Sequence, residues 1–411
     1  MLAGCGSGHS AAVPGVSSGT VILGSHQPLT GPAAPGYKEI SAASQAFFDY
    51  VNAHGGIYGR SIRLMTLNDA YNPTNTAQAV NQLVTYDNVF AIFEGLGTST
   101  HRQVVQFLNN NDVPDVFVAS GCPCWSDAAL DPYTYGWPPS ELVEGKLLAW
   151  YVAHHFPGQR VGVLYQDDLA GRAALAGVRQ ELPGSNVVAQ ESYQPWATTL
   201  QSQIAALRAA RASVLIDFTL PAYTALEQLT ALRLGFRPHL LVSSGGSDPI
   251  TVSRLLRTFS GGQVRGSWLL DGAITDAYLP SPSDGTNPWV RLFRSINATY
   301  DPQTTFDSNV EYGMASAYTF VQALRAAGPN LTRRGLIGAI DRHGASWLGP
   351  GLVPFQYSRR DHGGFRGAQL GQIQNGRVVL FGQPLTTTDR SGSPVAVYGR
   401  GEAVPPSNGI P

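Results

Sequence analysis

From Thr20 onward, short apolar runs alternate with longer amphipathic stretches, and this alternation restricts the chain to an α/β architecture. Val21-Ile22-Leu23 reads as a buried strand. After a Gly/Pro-rich turn, Ile40, Ala43, Phe47 and Val51 recur at helical spacing, and Gly55-Gly56 stops that helix. Ile62 to Leu67 is strand-like, Ala77, Val80 and Val84 mark a helix face, and Val89 to Phe93 is the next strand. A helix from about Ser99 to Asn110 and a strand at Val116-Phe117-Val118 follow. The rhythm breaks at Gly136-Trp137-Pro138-Pro139-Ser140 and then resumes. Strands are predicted at Val161 to Tyr165, Val187 to Gln190, Val214 to Phe218 and Leu240 to Val242, with helices near 141–156, 170–182, 198–211 and 221–235.

Two successive ladders of this kind predict two lobes with parallel sheets, because parallel strands must be joined by crossover helices. Val310, Ala317, Val321 and Leu324 define a later helix at about 309–327 that is expected to complete the first lobe. Val378 to Phe381 is expected to complete the second. From Pro384 the chain is rich in Pro, Gly, Ser and Thr, and a meandering surface tail is expected there.

A length of 411 residues suits two or three domains. Lys plus Arg total 27 and Asp plus Glu 28, a near-neutral balance that argues against a nucleic-acid grip, which needs a dense basic surface. Lys38 and Lys146 are the two lysines, so no polybasic membrane patch is available either. No stretch of about 20 apolar residues exists to span a bilayer.

Leu2-Ala3-Gly4-Cys5 looks like a bacterial lipobox, with Cys5 as the lipidated residue, although no basic and apolar leader precedes it. Residues 6–19 read as a flexible Gly/Ser/Ala/Pro tether. An acyl anchor on such a tether would place the folded body outside the cytoplasmic membrane. Cys122 and Cys124 lack the partners of a zinc site and the spacing of a thioredoxin-like motif. They are read either as a small local disulfide or as two free thiols. No metal or cofactor is expected.

No phosphate loop, dinucleotide fingerprint, nucleophile elbow or His-Glu-x-x-His motif occurs. The serine cluster Ser243-Ser244-Gly245-Gly246-Ser247 follows a predicted strand and reads as a polar loop. His154-His155 ends a helix, where cations are electrostatically welcome. Thr98-Ser99 follows a strand and the glycines Gly95 and Gly97, and it opens a helix. It can be a plain N-cap, or it can offer N–H groups and a hydroxyl to a ligand carboxylate. Open α/β sheets bind ligands beyond the carboxyl ends of their strands, where this loop and Ser120-Gly121 both sit.

Pro28-Leu29-Thr30-Gly31-Pro32-Ala33, followed by Val51-Asn52-Ala53-His54-Gly55-Gly56-Ile57-Tyr58-Gly59-Arg60, resembles the opening of the branched-chain amino-acid-type substrate-binding proteins. These are the type I periplasmic binding proteins that serve ABC importers. The similarity continues through Asn68-Asp69-Ala70, Asn72-Pro73, Val113-Pro114, Val161 to Asp168, Glu191-Ser192-Tyr193 and Leu348-Gly349-Pro350, covering about 20–383. The resemblance implies two Rossmann-like lobes with parallel central sheets joined by three hinge crossovers, near 138, 272 and 351. One lobe would be 20–138 with 273–350, the other 139–272 with 351–383, leaving 384–411 as the tail. It implies a non-enzymatic protein that binds a small molecule by hinge closure and docks on ABC permease subunits, its membrane contact being the lipid anchor alone. A lipobox ahead of such a domain is similar to the lipoprotein form found in Gram-positive organisms.

Carried over position by position, the resemblance puts the ligand carboxylate at Thr98, with Ser99 beside it, and a second contact at the turn Ser120-Gly121-Cys122-Pro123. Pro123 stands where a threonine is usual and brings neither hydroxyl nor N–H. Tyr37 joins the expected ligand set. Ala170, Thr219 and Gly245 occupy positions where the family carries an aromatic residue, a tyrosine and the acidic partner of the ligand ammonium; Asp248 is the nearest carboxylate in sequence. Loss of that partner argues against a free α-amino acid, since a buried unpaired charge is costly. Trp125, Tyr133, Tyr135 and Trp137 are either hinge-side core or a stacking wall. The Gly121-x-x-x-Trp125 turn is similar to that of members taking aromatic or other non-amino-acid carboxylates. The expectation is therefore a carboxylate-bearing, largely apolar ligand. An amino-acid-binding protein, a ligand-sensing module on the same fold and a hydrolase using the serine loop are the alternatives.

Overall fold

The computed structural model describes residues 12–399, 401 and 403–411. Cys5 and residues 6–11 of the expected tether lie outside the described residues. The first lobe is built on β1 (Thr20–Gln27), β2 (Ser61–Asn68), β3 (Ala91–Phe93), β4 (Asp115–Val118) and β5 (Thr134–Gly136). These strands form an all-parallel sheet in the order β2-β1-β3-β4-β5. Between them run α1 (Ala34–Tyr37), α2 (Ile40–Ala53), α3 (Pro73–Asn81), α4 (Thr98–His101) and α5 (Val105–Asn110). The single helix expected over 99–110 is thus two short helices separated by a turn.

The chain crosses to the second lobe at Trp137-Pro138-Pro139 and enters α6 (Glu141–His155). Ser140 caps α6 by accepting from the Val143 N–H at 3.1 Å, and Glu141 and Glu144 lie in its positive first turn. At its far end His154 and His155 each hydrogen-bond a carbonyl of their own helix, Trp150 and Tyr151. The second ladder follows: β6 (Val161–Gln166), α7 (Leu169–Glu181), β7 (Val187–Tyr193), α8 (Gln201–Ala209), β8 (Val214–Phe218), α9 (Pro221–Leu234), β9 (His239–Val242), α10 (Pro249–Phe259) and β10 (Ile274–Ala277). Ile274 and Thr275 of β10 pair in parallel with Leu241 and Val242, so the chain leaves this sheet after Ala277 and not near 272. The reason is local: one more short buried strand, Ile274-Thr275-Asp276-Ala277, follows the turn at Gly272, and its two polar residues hide it from an apolar-run reading.

The helices α11 (Pro288–Tyr300), α12 (Ser308–Ala327) and α13 (Arg333–His343) return to the first lobe. The third crossing ends in β11 (Gly367–Gln374), which lies antiparallel to β10 and carries β12 (Arg377–Leu380) as a hairpin. The expected strand at 378–381 corresponds to β12.

The tail is more ordered than its composition suggests. β13 (Leu385–Thr386), antiparallel to β11, and β14 (Ala396–Val397), antiparallel to β13, extend the second sheet, giving the order β14-β13-β11-β10-β9-β8-β6-β7. Lys146, fully buried on α6, donates from Nζ to the carbonyls of Thr388 and Arg390 at 2.8 Å each. Further on, the chain packs on the first lobe: Trp289 Nε1 donates to the Ala403 carbonyl and the Tyr50 hydroxyl to that of Asn408, both at 2.7 Å. Such backbone-directed bonds carry no hydrophobic period, so a periodicity reading misses them.

The core of the first lobe centres on Phe320 of α12, whose ring lies 5.2 Å from that of Phe93 and 6.2 Å from Phe48. Tyr135 and Trp137 are fully buried, Trp137 edge-on to Tyr312 and Phe365, so they belong to the hinge-side core. Phe320→Ala is expected to destabilise the fold by about 3–5 kcal/mol, as a cavity at a packed aromatic junction requires. The check is a lower denaturant midpoint with an unchanged slope.

Candidate functional site

The carboxyl ends of both sheets face one another across a cleft of about 1250 Å³, part of it open to solvent. Its aromatic walls are Tyr37, Tyr71, Tyr278 and Tyr312 with Tyr193 and Phe218. On the first-lobe side, the chain leaves β3 through Glu94 at φ 59° and Gly97 at φ 96°, then enters α4 at Thr98. Gly97 is required twice over: its φ favours glycine, and a Cβ there would stand 2.5 Å from the Tyr71 ring and 2.6 Å from Thr100 Oγ1. Thr98 Oγ1 and Ser120 Oγ are 2.7 Å apart, joining the loops after β3 and β4 at the cleft surface.

Behind this wall runs a buried chain of four ionisable groups. Asp69 Oδ2 meets His26 Nδ1, His26 Nε2 meets His101 Nδ1, and His101 Nε2 meets Asp115 Oδ2, each at 2.8 Å. The three contacts need one proton each, one more than two neutral imidazoles and two carboxylates supply, so the network holds an extra proton on a ring or a carboxyl group. Burial lowers the pKa of His26. Asp69 also accepts from the Tyr71 N–H at 2.8 Å, so the chain sets both Tyr71 and the Thr98 loop.

Of the residues expected to contact a ligand, Tyr37, Thr98, Ser120, Gly121, Thr219 and Gly245 line the cleft. Ser99, Cys122, Trp125 and Ala170 do not. Cys122 and Cys124 are disulfide-bonded, and Cys122, Trp125, Ala170, Val105 and Val118 form a small apolar cluster that packs the two lobes together beside the cleft. Trp125 supports the site from behind, its Nε1 donating to the Ser120 carbonyl at 3.1 Å. Of the two readings open for Trp125, Tyr133, Tyr135 and Trp137, a stacking wall or hinge-side core, the cleft supports the second: none of the four lines it, and its aromatic lining comes from other segments. Asp248 faces away from the cleft too: it caps α10, accepting from the Thr251 N–H at 2.7 Å.

The expectation that a ligand ammonium would find no carboxylate does not hold. Glu141, Glu144, Asp168, Asp276 and Glu311 all line the cleft, while among the described residues no lysine or arginine does. They arrive from α6, the start of α7, β10 and α12, segments whose convergence is tertiary. Burial raises the pKa of Glu141 to about 8, with Asp168 and Asp276 adding repulsion. Burial raises Glu144 well above the usual range, with Asp276 and Glu141 adding repulsion, and burial raises Asp276 to about 6. The Ser244 hydroxyl donates to Glu144 at 2.5 Å and the Ser244 N–H to Asp276 at 2.9 Å. Ser244 thus has a carboxyl partner and no histidine, which is not a nucleophile's arrangement. No group of His, Cys, Asp and Glu suited to a metal ion occurs among the described residues.

Direct bonds join the lobes across the cleft. The Tyr37 hydroxyl donates to the Gly245 carbonyl at 2.9 Å, and Gln166 Nε2 to the Tyr71 hydroxyl at 3.2 Å. At one rim the capping residues of α10 and α12 serve each other: Thr251 Oγ1 donates to Asp307 at 2.8 Å and Ser308 Oγ to Asp248 at 2.9 Å.

Two α/β lobes, three hinge segments and a cleft at the strand ends define a bilobal binding protein, and comparison with known proteins agrees. The profile of the periplasmic binding protein family matches residues 20–377, and the chain belongs to that family as a type I member, a class of solute-binding proteins and not of enzymes. The Leu/Ile/Val-binding protein homolog 7 of Brucella abortus is 22% identical over 240 residues, 56% of this chain and 60% of that relative's length. A branched-chain amino acid ABC transporter protein from Thermus thermophilus with bound valine has the same fold, with TM-score 0.78 and 18% identity over 91% of this chain and 98% of that one. So does a fatty acid ABC transporter substrate-binding protein from Thermomonospora curvata, with TM-score 0.78 and 22% identity over 92% and 95% of the two chains. No helix among the described residues is long and apolar enough to cross a membrane.

The buried acids have a measurable consequence. Groups whose folded pKa lies above the unfolded value bind more protons in the native state, so their contribution is complete below the unfolded pKa and lost as pH rises through the folded one. Glu141 and Glu94 at about 8, Glu227 at about 7 and Asp276 and Asp307 at about 6 place the loss between roughly pH 5 and 8. The ligand-free protein is therefore expected to melt at a lower temperature at pH 8 than at pH 6, and Glu141→Gln should flatten the upper part of that curve.

Proposed function

We propose that the chain is the extracytoplasmic solute-binding component of an ABC importer, anchored through Cys5, which closes its two lobes on a small solute in the interlobe cleft and presents the closed form to permease subunits. The observation that carries this reading is the cleft itself: aromatic walls from both lobes, with Tyr37 and Gln166 reaching from one lobe to the other. Ligand contacts that bridge two lobes convert binding energy into closure. The solved relatives named for branched-chain amino acids and for fatty acids support a cleft of this kind accepting solutes with substantial apolar surface.

The residues Tyr37, Thr98, Ser120, Gly121, Thr219 and Gly245 form the contact set in this reading. A carboxylate-headed, apolar or aromatic ligand remains supported by one observation, the paired hydroxyls of Thr98 and Ser120 at the cleft surface. Against it, Glu141 lies beside that turn: its N–H donates to the Gly121 carbonyl at 2.6 Å, and a Cβ on Gly121 would stand 2.7 Å from its Cγ. A ligand carboxylate at Ser120-Gly121 would meet another carboxyl group and no basic side chain. A ligand-sensing module on the same fold is separated from the importer component by its partner, a signalling protein in place of a permease.

The test is a thermal-shift panel of amino acids, organic acids, amines and amides, followed by calorimetry. A ligand at a hundred times its dissociation constant should stabilise the protein by about 2.7 kcal/mol. Tyr37→Phe removes one bridging hydrogen bond and is expected to weaken the hit several-fold, with small-angle scattering showing a more open average shape. Stoichiometric binding without chemical change of the hit is the expected result; turnover would sink the reading.

A further inference from the structure

We infer that the cleft takes an organic cation, a protonated amine or amidinium, received at its hinge end by the carboxyl groups of Glu141, Glu144 and Asp276. This rests on the cleft being the solute site.

Four observations converge on it. The first is the imbalance of charge: the cleft is lined by five carboxyl groups and, among the described residues, by no lysine, arginine or histidine. Among the described residues none of the five is held in an ion pair of 4.0 Å or less; Arg172 and Arg294 act on Asp168 and Glu311 only at longer range, and no arginine acts on Glu141, Glu144 or Asp276. The second is independent of the acids. Gln166 lines the cleft with 6% of its surface exposed, and its Nε2 is committed to Asp168 Oδ2 at 2.6 Å and to the Tyr71 hydroxyl. The acceptor on Asp168 fixes which end of the amide is nitrogen, and Oε1 is left buried with no donor. A buried acceptor without a partner is costly, and a ligand N–H supplies what it lacks.

The third observation is the aromatic wall. Tyrosine faces attract a cation through the ring quadrupole, and cages of such rings are a recurring way to hold ammonium groups. The fourth is an absence of competition at Glu141. Its carboxyl makes no hydrogen bond to the protein, although burial holds its pKa at about 8. A proton is what that group uses in place of a partner, and an arriving cation displaces it.

The groups that bear on Glu141 come from each element around it: Glu144 from the same helix, Asp168 ahead of α7, Asp276 from β10, and Tyr37 and Tyr71 from the first lobe. The carboxyl groups among these lose protons over the neutral range, which favours a cation, while burial keeps both tyrosines protonated there. Affinity should rise between about pH 6 and pH 8, and binding should release protons.

The experiment uses three probes of one shape and different charge: phenethylamine, 2-phenylethanol and 3-phenylpropionate. Calorimetry on the whole chain, in two buffers of different ionisation enthalpy, reads both affinity and proton release. The expected result is that phenethylamine binds tightest and releases protons, and that Glu141→Gln weakens it about ten- to hundredfold, the size of one lost charge-assisted hydrogen bond. The same substitution should leave 2-phenylethanol unchanged. Asp276→Asn provides a second variant from a different element, with the same expected direction. Tighter binding of the alcohol or the acid than of the amine overturns the cation subsite while leaving the cleft as the solute site, provided Tyr37→Phe weakens that binding. Equal amine affinity in wild type and both variants also overturns it, as does silence of phenethylamine and of a second cation, benzamidine, up to about 10 mM, far above the dissociation constants that a readable shift requires.

Discussion

The buried chain from Asp69 through His26 and His101 to Asp115 ties together four segments of the first lobe that share no local sequence. It links the end of β1, the turn after β2, the helix that follows β3 and the start of β4. Each link is short and fully enclosed, so removing any one group would leave charged partners buried without compensation. Gly95 belongs to the same arrangement: a Cβ there would lie 2.5 Å from His101 Nδ1 and 2.6 Å from His26 Nε2, where the two rings meet. Because Asp69 holds the Tyr71 N–H and His101 sits in the helix that Thr98 opens, the first-lobe face of the cleft is set from behind.

The second-lobe face has a different economy. Its polar groups are acids held near one another and neutralised by protons, as at Glu144 and Asp276. Such a surface is stable when closed and empty only if some of those protons stay on. A bound cation substitutes for them, which couples occupancy, protonation and lobe closure in one equilibrium. The tail contributes on the opposite side of the hinge: by pairing with β11 and then reaching Trp289 and Tyr50, it adds a further connection between the lobes beside the three hinge segments.

Much of the fold was legible because its signals are local. Apolar runs such as Val214 to Phe218, helix faces such as Ile40, Ala43, Phe47 and Val51, and the break at Pro138-Pro139 each report on their own neighbourhood, and each lies in the corresponding element. The loop positions Thr98 and Ser120 were legible as well, since a parallel sheet opens at its carboxyl ends, whereas Thr219 and Gly245 came only from the family resemblance. Ser99, Cys122, Trp125 and Ala170 were misplaced for a common reason. Neighbours in sequence to a ligand-facing residue are as apt to point into the wall as into the cleft, and in this chain Cys122, Trp125 and Ala170 join the apolar cluster behind Ser120. Tyr71, Gln166 and Tyr193 carried one weak signal, their places just beyond or at the ends of predicted strands.

What the sequence determined by itself is the architecture: two β-α ladders with a hinge between them, because period and punctuation act over a few residues and survive any tertiary arrangement. What only the tertiary structure decided is the character of the cleft. Glu141 and Glu144 read as ordinary first-turn acids of a helix, Asp276 as part of a short strand and Glu311 as one turn of a buried helix. Their shared meaning comes from the folding of three distant segments around one space without a basic residue. Electrostatic environment is a property of positions in space, and no local pattern encodes it.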